Sequence, residues 1–337
     1  MFSFSHHEWE DFFDSSVQYV SYANQEGRLD NKTTNCYYIS HCLFNTLNSA
    51  GAIRIEDSTS NKLKFLVDTS SFNKCEHKTS EGGSLYLISA HGEFIQDRIC
   101  SFGSKSENGG AYCYVKISSA RPFRNYLLDS TITSSGDESN KGFYNLYLYN
   151  GEVFMRSINI SFSKLIYRNF YQIYCHSDSN ITLSTFSNNT STFANSYEAF
   201  HTGSSSLKFK IRFCNYFENS CNWLIGIDYD LLILNCSFSN NNVKTKYFSV
   251  NNDKRIQLKG CYLDNPEPKT SGSFTMMEGK SYIYPDNHHL SSKFCLAKIK
   301  LEFPTKAPIR KVIQASKYRY YSFRFIRSLE VILIRKK

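Results

Sequence analysis

The chain has 337 residues, of which 41% are hydrophobic and 16% aromatic, with 27 Phe and 24 Tyr against two Trp and four Met. A core of that size excludes a disordered or fibrous chain, and short apolar runs broken by Asn and Ser favour strands over helices. The formal charge is +9, but twelve Lys or Arg and only two acids lie in 298–337, so the remaining body is near neutral and a phosphate-tracking groove is not expected; nucleic acid is excluded as a partner.

The chain opens on Met1-Phe2-Ser3-Phe4-Ser5 and runs straight into His6, His7, Glu8 and Glu10, with no apolar h-region, so no signal peptide is expected. Ser5-His6-His7-Glu8 reads as a capping box, with Ser at the N-cap and Glu three residues on. Trp9, Phe12, Phe13 and Val17 follow at helical spacing, so a short helix over about 5–20 is predicted to lid one end of the fold. Residues 1–30 are assigned to this N-terminal cap.

From there a phrase recurs, a small residue or Cys two positions before an apolar anchor. The anchors are Phe44, Phe72, Phe102, Ile132, Ile160, Phe186, Phe217, Phe238 and Leu263, spaced 21 to 31 residues apart. Self-similarity at that period means a solenoid, propeller or array. Strand period 2 puts the anchor and the residue two before it on one side, so a Phe/Ile/Leu stack runs beside a Cys/Ser stack. Asn45, Asn73, Asn188, Asn219, Asn240 and Asn265 follow the anchors, where Asn suits a left-handed bend and can bond its copy in the next coil.

A second strand follows the anchor in several coils: Gly51 to Ile55, Gly82 to Ile88, Gly109 to Val115, Tyr144 to Tyr149, Trp223 to Ile227 and Tyr247 to Val250. A third precedes it, as in Leu63 to Val67 and Leu231 to Leu234. Two or three short strands per coil predict an all-β fold, a single right-handed parallel β-helix of about nine coils over residues 31–285. After about Pro285 the repeat stops, and 286–337 reads as a basic, aperiodic tail or degenerate cap. Arg319, Arg324, Arg327 and Glu330 interrupt its apolar stretch, so no membrane span is expected.

The Asn-Cys-x-Phe-x-Asn phrase, the Gly-Gly-Ala strand opening, the Leu-Tyr-Leu-Tyr run at 146–149 and the Met-Phe-Ser-Phe start resemble the right-handed parallel β-helix repeat proteins of trichomonad protists, of pectin lyase-like fold, over roughly 1–285. The resemblance implies a structural or surface-interaction protein, at the cell surface or outside it. It carries over no catalytic residues.

Most candidate site residues read as plain structural residues. Asp68, Asp97 and Asp129 recur shortly before their anchors, but at offsets of four, five and three, so they need not share a face. Turn aspartates are the better reading than the carboxylate cluster of a glycosidase. Cys42, Cys100, Cys236 and Cys261, two before their anchors, read as core residues, and no CxxC pair or zinc spacing occurs among the eleven cysteines. His6-His7 and His288-His289 are adjacent pairs whose side chains diverge. Sequons occur at Asn31, Asn159, Asn180, Asn188, Asn189 and Asn235. Tyr114, Tyr147 and Tyr149 are predicted to line a flank, where aromatic rows meet a glycan or protein partner. No catalytic, cofactor-binding or metal site is assigned, and no cofactor. The leading reading is a non-catalytic β-helix presenting an extended, adhesive interaction surface. The rival is a carbohydrate-active lyase or hydrolase of pectin lyase-like architecture, and a third is a decayed gene product.

Overall fold

The computed structural model describes residues 8–23, 27–30, 35–57, 63–117, 123–136, 143–165, 171–175, 179–191, 198–202, 208–227, 230–250, 254–265, 268–271 and 273–277. The chain divides into two compact units, Met1–Lys298 and Ile299–Lys337, and every described residue lies in the first. The tail at 286–337 thus falls outside the described residues, as do Ser5, both His pairs and Asn31.

The described residues form a parallel β-solenoid with almost no helix. Three long sheets of eleven, nine and twelve strands run the length of the stack, and each strand pairs with its copies in the neighbouring coils. One coil shows the plan. Leu63–Asp68 belongs to the eleven-stranded sheet, Ser71–Asn73 to the nine-stranded and Leu85–Ser89 to the twelve-stranded. Their ladders to the next coil are all parallel. The coil count differs from the expected figure of about nine, since the three sheets hold unequal numbers of strands.

Strand alternation explains what fills the interior. Leu63, Phe65, Val67, Phe72, Leu85 and Leu87 point inward and are fully buried. Rings meet their copies coil to coil: Phe44 stacks on Phe72 at 4.9 Å, and Phe186, Tyr216 and Phe238 stack at 4.8 and 5.1 Å. Dispersion between these flat rings, added to apolar burial, holds one coil on the next.

Register revises two anchors. Phe72 pairs with Ser101, not Phe102, and Phe186 pairs with Tyr216, not Phe217. Ser101 is small, and Tyr112 enters the core in its place, ring edge-on to Phe72 at 6.1 Å. The Tyr112 hydroxyl donates to Gln96 Oε1 at 2.8 Å, so the buried phenol is satisfied. The same shift moves Cys100 to the outward row beside Ser71 and Thr131, where it is half-buried and disulfide-bonded. Ile99 takes its expected inward place and is buried. Cys42, Cys236 and Cys261 are buried core residues as read from the sequence, and Cys214 joins them.

Both corners of the anchor strand take a left-handed residue. Three before the anchor these are His41, Thr69, Arg98, Asp129, Ser157, Leu183, Phe213, Asn235 and Gly260, and two after it Thr46, Lys74, Gly103, Ser134, Phe162, Asn188, Glu218 and Asn240. The Cys/Ser stack closes the first corner. Ser130 Oγ accepts from Ile99 N at 2.9 Å and donates to Leu128 O, and Cys236 Sγ accepts from Cys214 N at 3.3 Å. The second corner carries an interior asparagine ladder: Asn189 Nδ2 donates to Asn219 Oδ1 at 3.1 Å, and Asn219 Nδ2 to Asn241 Oδ1 at 3.0 Å. Asn188 and Asn240 sit one residue earlier, in the bend itself. Glycine opens the next strand where a side chain has no room: a Cβ on Gly82 would lie 2.6 Å from Leu85 O, and φ there is +76°.

The N-terminal helix differs from expectation. It spans only Trp9–Phe12, four residues, and Glu8 N donates to Asp11 Oδ2 at 2.8 Å, so the capping acid is Asp11. The chain cannot continue as helix because Asp14 Oδ1 takes the Ser16 N–H at 2.8 Å and holds a turn. Nor does the helix lid an end. Trp9 and Phe13 lie on the outside of the eleven-stranded sheet, packed on Leu66, Ile95 and Leu128.

Candidate functional site

On the outer face of the twelve-stranded sheet, register aligns Arg54, Tyr86, Tyr114 and Tyr147 in one row across four coils. Alternation forces this: Leu85, Leu87, Cys113, Val115, Leu146 and Leu148 take the inward positions, leaving the tyrosines outside. Tyr86 and Tyr114 stack at 5.5 Å, and Tyr114 and Tyr147 at 4.4 Å, with ring planes within 11° of parallel. The Arg54 guanidinium covers the far face of Tyr86 at 3.7 Å. Tyr149, in the next row, lies 6.0 Å from Tyr147, with the Lys116 ammonium 5.7 Å from its ring. Tyr144 lies 5.3 Å from Tyr147. Tyr114, Tyr147 and Tyr149 are half-buried and outward-facing, and Tyr144 joins them, whereas Tyr86 shares the row but is 7% exposed, covered by Arg54 and Tyr114.

The stacking changes what this flank can do. Ring faces in the row are occupied by neighbouring rings, so what a partner meets is a line of ring edges and hydroxyl groups. Burial first, and then the Glu81 carboxylate, push the Tyr114 phenol up to about 12. It therefore stays protonated and able to donate at any physiological pH.

The carboxylates behave otherwise. The register shift at Ser101 makes Asp68 and Asp97 direct neighbours on the outside of the eleven-stranded sheet. Arg98 joins them, its Nη2 2.7 Å from Asp68 Oδ1 and its Nε 3.2 Å from Asp97 Oδ2. Two carboxylates and a guanidinium do converge, as a polysaccharide-cleaving site requires. Both aspartates, however, have no exposed surface, and Thr69 Oγ1 also donates to Asp68 at 2.9 Å. A closed cluster of this kind has no space for a sugar. Asp129 is not part of it; as a left-handed corner residue it pairs with Arg156 at 3.4 Å.

Asn189 is 2% exposed within the asparagine ladder, so that sequon is closed to modification. Among the described residues no group of three or more His, Cys, Asp or Glu is placed to hold a metal ion, and no helix is long and apolar enough to cross a membrane. No protein-family model, curated protein or solved structure matches the chain.

Proposed function

We propose that the chain is a right-handed parallel β-helix, allied to the trichomonad repeat proteins it resembles, that works as a non-catalytic scaffold with an extended adhesive surface. Right-handedness follows the sense that parallel strand crossovers take. The observation that carries the functional reading is the in-register, half-exposed row of Tyr114 and Tyr147 on the outside of the solenoid. Its hydroxyl edges repeat once per coil and suit a ligand with repeated hydrogen-bonding groups, a cell-surface glycan in the first place. A location at the cell surface or outside it is what the resemblance implies.

The test separates hydroxyls from rings. Tyr114→Phe with Tyr147→Phe keeps the stack and removes two hydroxyls. Binding to a glycan array and to intact cells is expected to fall about tenfold, two neutral hydrogen bonds at roughly 0.5–1.5 kcal/mol each. Unchanged binding removes the reading.

The second reading, a lyase or hydrolase of pectin lyase-like architecture, draws on Asp68, Asp97 and Arg98. It requires release of unsaturated or reducing ends from a panel of polyuronates, abolished by Asp97→Asn. The burial of both aspartates argues against it.

A further inference from the structure

The outer face of the eleven-stranded sheet has two unlike halves. Over its first half the N-terminal segment lies on Leu66, Ile95 and Leu128, with Lys64 and Arg124 against the Phe13 ring. Past Leu128, register continues one outward row as Arg156, Thr182, Arg212, Leu234 and Lys259. A cation thus recurs at every second coil, about 9.6 Å apart given a strand spacing of roughly 4.8 Å. Arg212 and Lys259 are exposed, and Leu234 between them is half-buried. The neighbouring outward rows add Lys210 and Arg255. Acids lie on this stretch too: Asp129 pairs with Arg156 at 3.4 Å, and Asp230 accepts the Arg255 backbone N–H at 3.0 Å and keeps its charge, so Arg212 and Lys259 carry the attraction. Asp230, Leu232, Arg255 and Gln257 line a shallow hollow of about 80 Å³ beside the row.

We infer that this half-face binds a linear acidic polysaccharide carrying one carboxylate per disaccharide. The cation period matches a disaccharide step along an extended chain, and the intervening Thr182 and Leu234 offer a hydroxyl and an apolar contact to the uncharged sugar. Nucleic acid fits poorly: phosphates follow one another at about 3.4 Å per strand along a duplex, far closer than the cations, and this row carries no aromatic platform for bases. The surface lies on a different sheet from the tyrosine flank, so the two sites stand or fall separately.

The experiment titrates the full chain with hyaluronan fragments, and with single-stranded DNA as a second polyanion, over a range of salt. Native protein is expected to bind hyaluronan more tightly than the DNA. Arg212→Gln with Lys259→Gln should weaken hyaluronan binding at least tenfold and make the log–log salt dependence shallower by about one per cation removed. Both side chains are exposed, and an unaltered melting curve confirms the fold. Lys74→Gln with Lys78→Gln, two exposed lysines off this sheet, should leave hyaluronan binding unchanged. The inference is overturned if native protein does not bind hyaluronan, if the Arg212/Lys259 variant binds it equally well, if DNA binds more tightly, or if the Lys74/Lys78 variant weakens binding as much as the Arg212/Lys259 variant.

Discussion

At the scale of single residues, the corners of the anchor strand decide most. Phe162, Leu183 and Phe213 hold φ of +55°, +51° and +53° with side chains 50%, 36% and 38% exposed. An L-residue in that region costs roughly 1–2 kcal/mol, and an exposed side chain recovers little of it. Replacing each with Gly is expected to stabilise by up to about 1 kcal/mol after the entropy that Gly loses on folding. Thermal melting should rise by about 1–2 °C per substitution, and a fall would show that these side chains have packing roles. The corners also explain what sequence reading missed. Hydrophobicity does not separate Ser101 from a neighbouring Phe102, or Tyr216 from Phe217. What separates them is the pair of left-handed residues around each strand, Arg98 with Gly103 and Phe213 with Glu218. Arg, Phe and Glu give no sign of that conformation. Seven anchors were legible because Cys or Ser, or an unrivalled apolar residue, marked them; the Asp68–Asp97 contact was not, because it depends on the shifted register.

His77 adds a pH effect at the same scale. Its pKa is lowered by burial first, then by the Arg54 and Arg28 charges, against an opposing Glu81. Its Nδ1 accepts the Ser80 N–H at 3.0 Å. The folded chain therefore takes up its proton at lower pH than the unfolded chain. Stability is full above the unfolded value of 6.5 and is lost as pH falls from there through the folded pKa. Denaturant midpoints measured across that window should fall toward acid, and His77→Gln should flatten the slope.

At the scale of elements, polar groups inside the solenoid fix which coil contacts which. Tyr112 is anchored by Gln96, whose Nε2 donates to Cys113 Sγ at 3.6 Å. Tyr112→Phe keeps the ring but strands Gln96 Oε1 in the core. A loss of about 1–3 kcal/mol is expected in urea unfolding. A loss under 0.5 kcal/mol would mean the hydroxyl bond contributes little. The asparagine ladder works in the same way. Asn219 Oδ1 accepts from Asn189, and Nδ2 donates to Phe186 O at 2.9 Å and to Asn241. The asparagines foreseen after the anchors bond across coils where expected at Asn73 and Asn45, 2.7 Å apart, and Asn219 is one of them; the other ladder members, Asn189 and Asn241, stand one residue after the expected Asn188 and Asn240. The N-terminal helix shows the opposite limit. Its apolar spacing was visible, but its destination depends on Leu66, Ile95 and Leu128, which occupy outward positions on three separate strands.

At the scale of the molecule, stability in a stack like this is a sum of coil and neighbour terms, because each coil touches only the coils on either side. That makes whole-coil deletion a sharper test of the architecture than any point change. Removing residues 160–185 takes out 26 positions and joins Asn159 to Phe186, so one anchor replaces another in the same strand and register. Ile158 would then stand two before Phe186 as it now stands two before Ile160, while Ser184, whose Oγ accepts from Ile158 N at 3.2 Å, leaves the Cys/Ser stack. The shortened chain is expected to keep a β-sheet circular dichroism spectrum and a cooperative melt. Its melting point should lie within several degrees of the native chain, since the aromatic stack still closes, with Phe186 against Ile132. Deleting only 160–172, half that span, should unfold it, because it leaves an incomplete coil and sets strands of one sheet over the wrong face of the next. Equal behaviour of the two deletions would rule out coil-by-coil stacking as the source of stability.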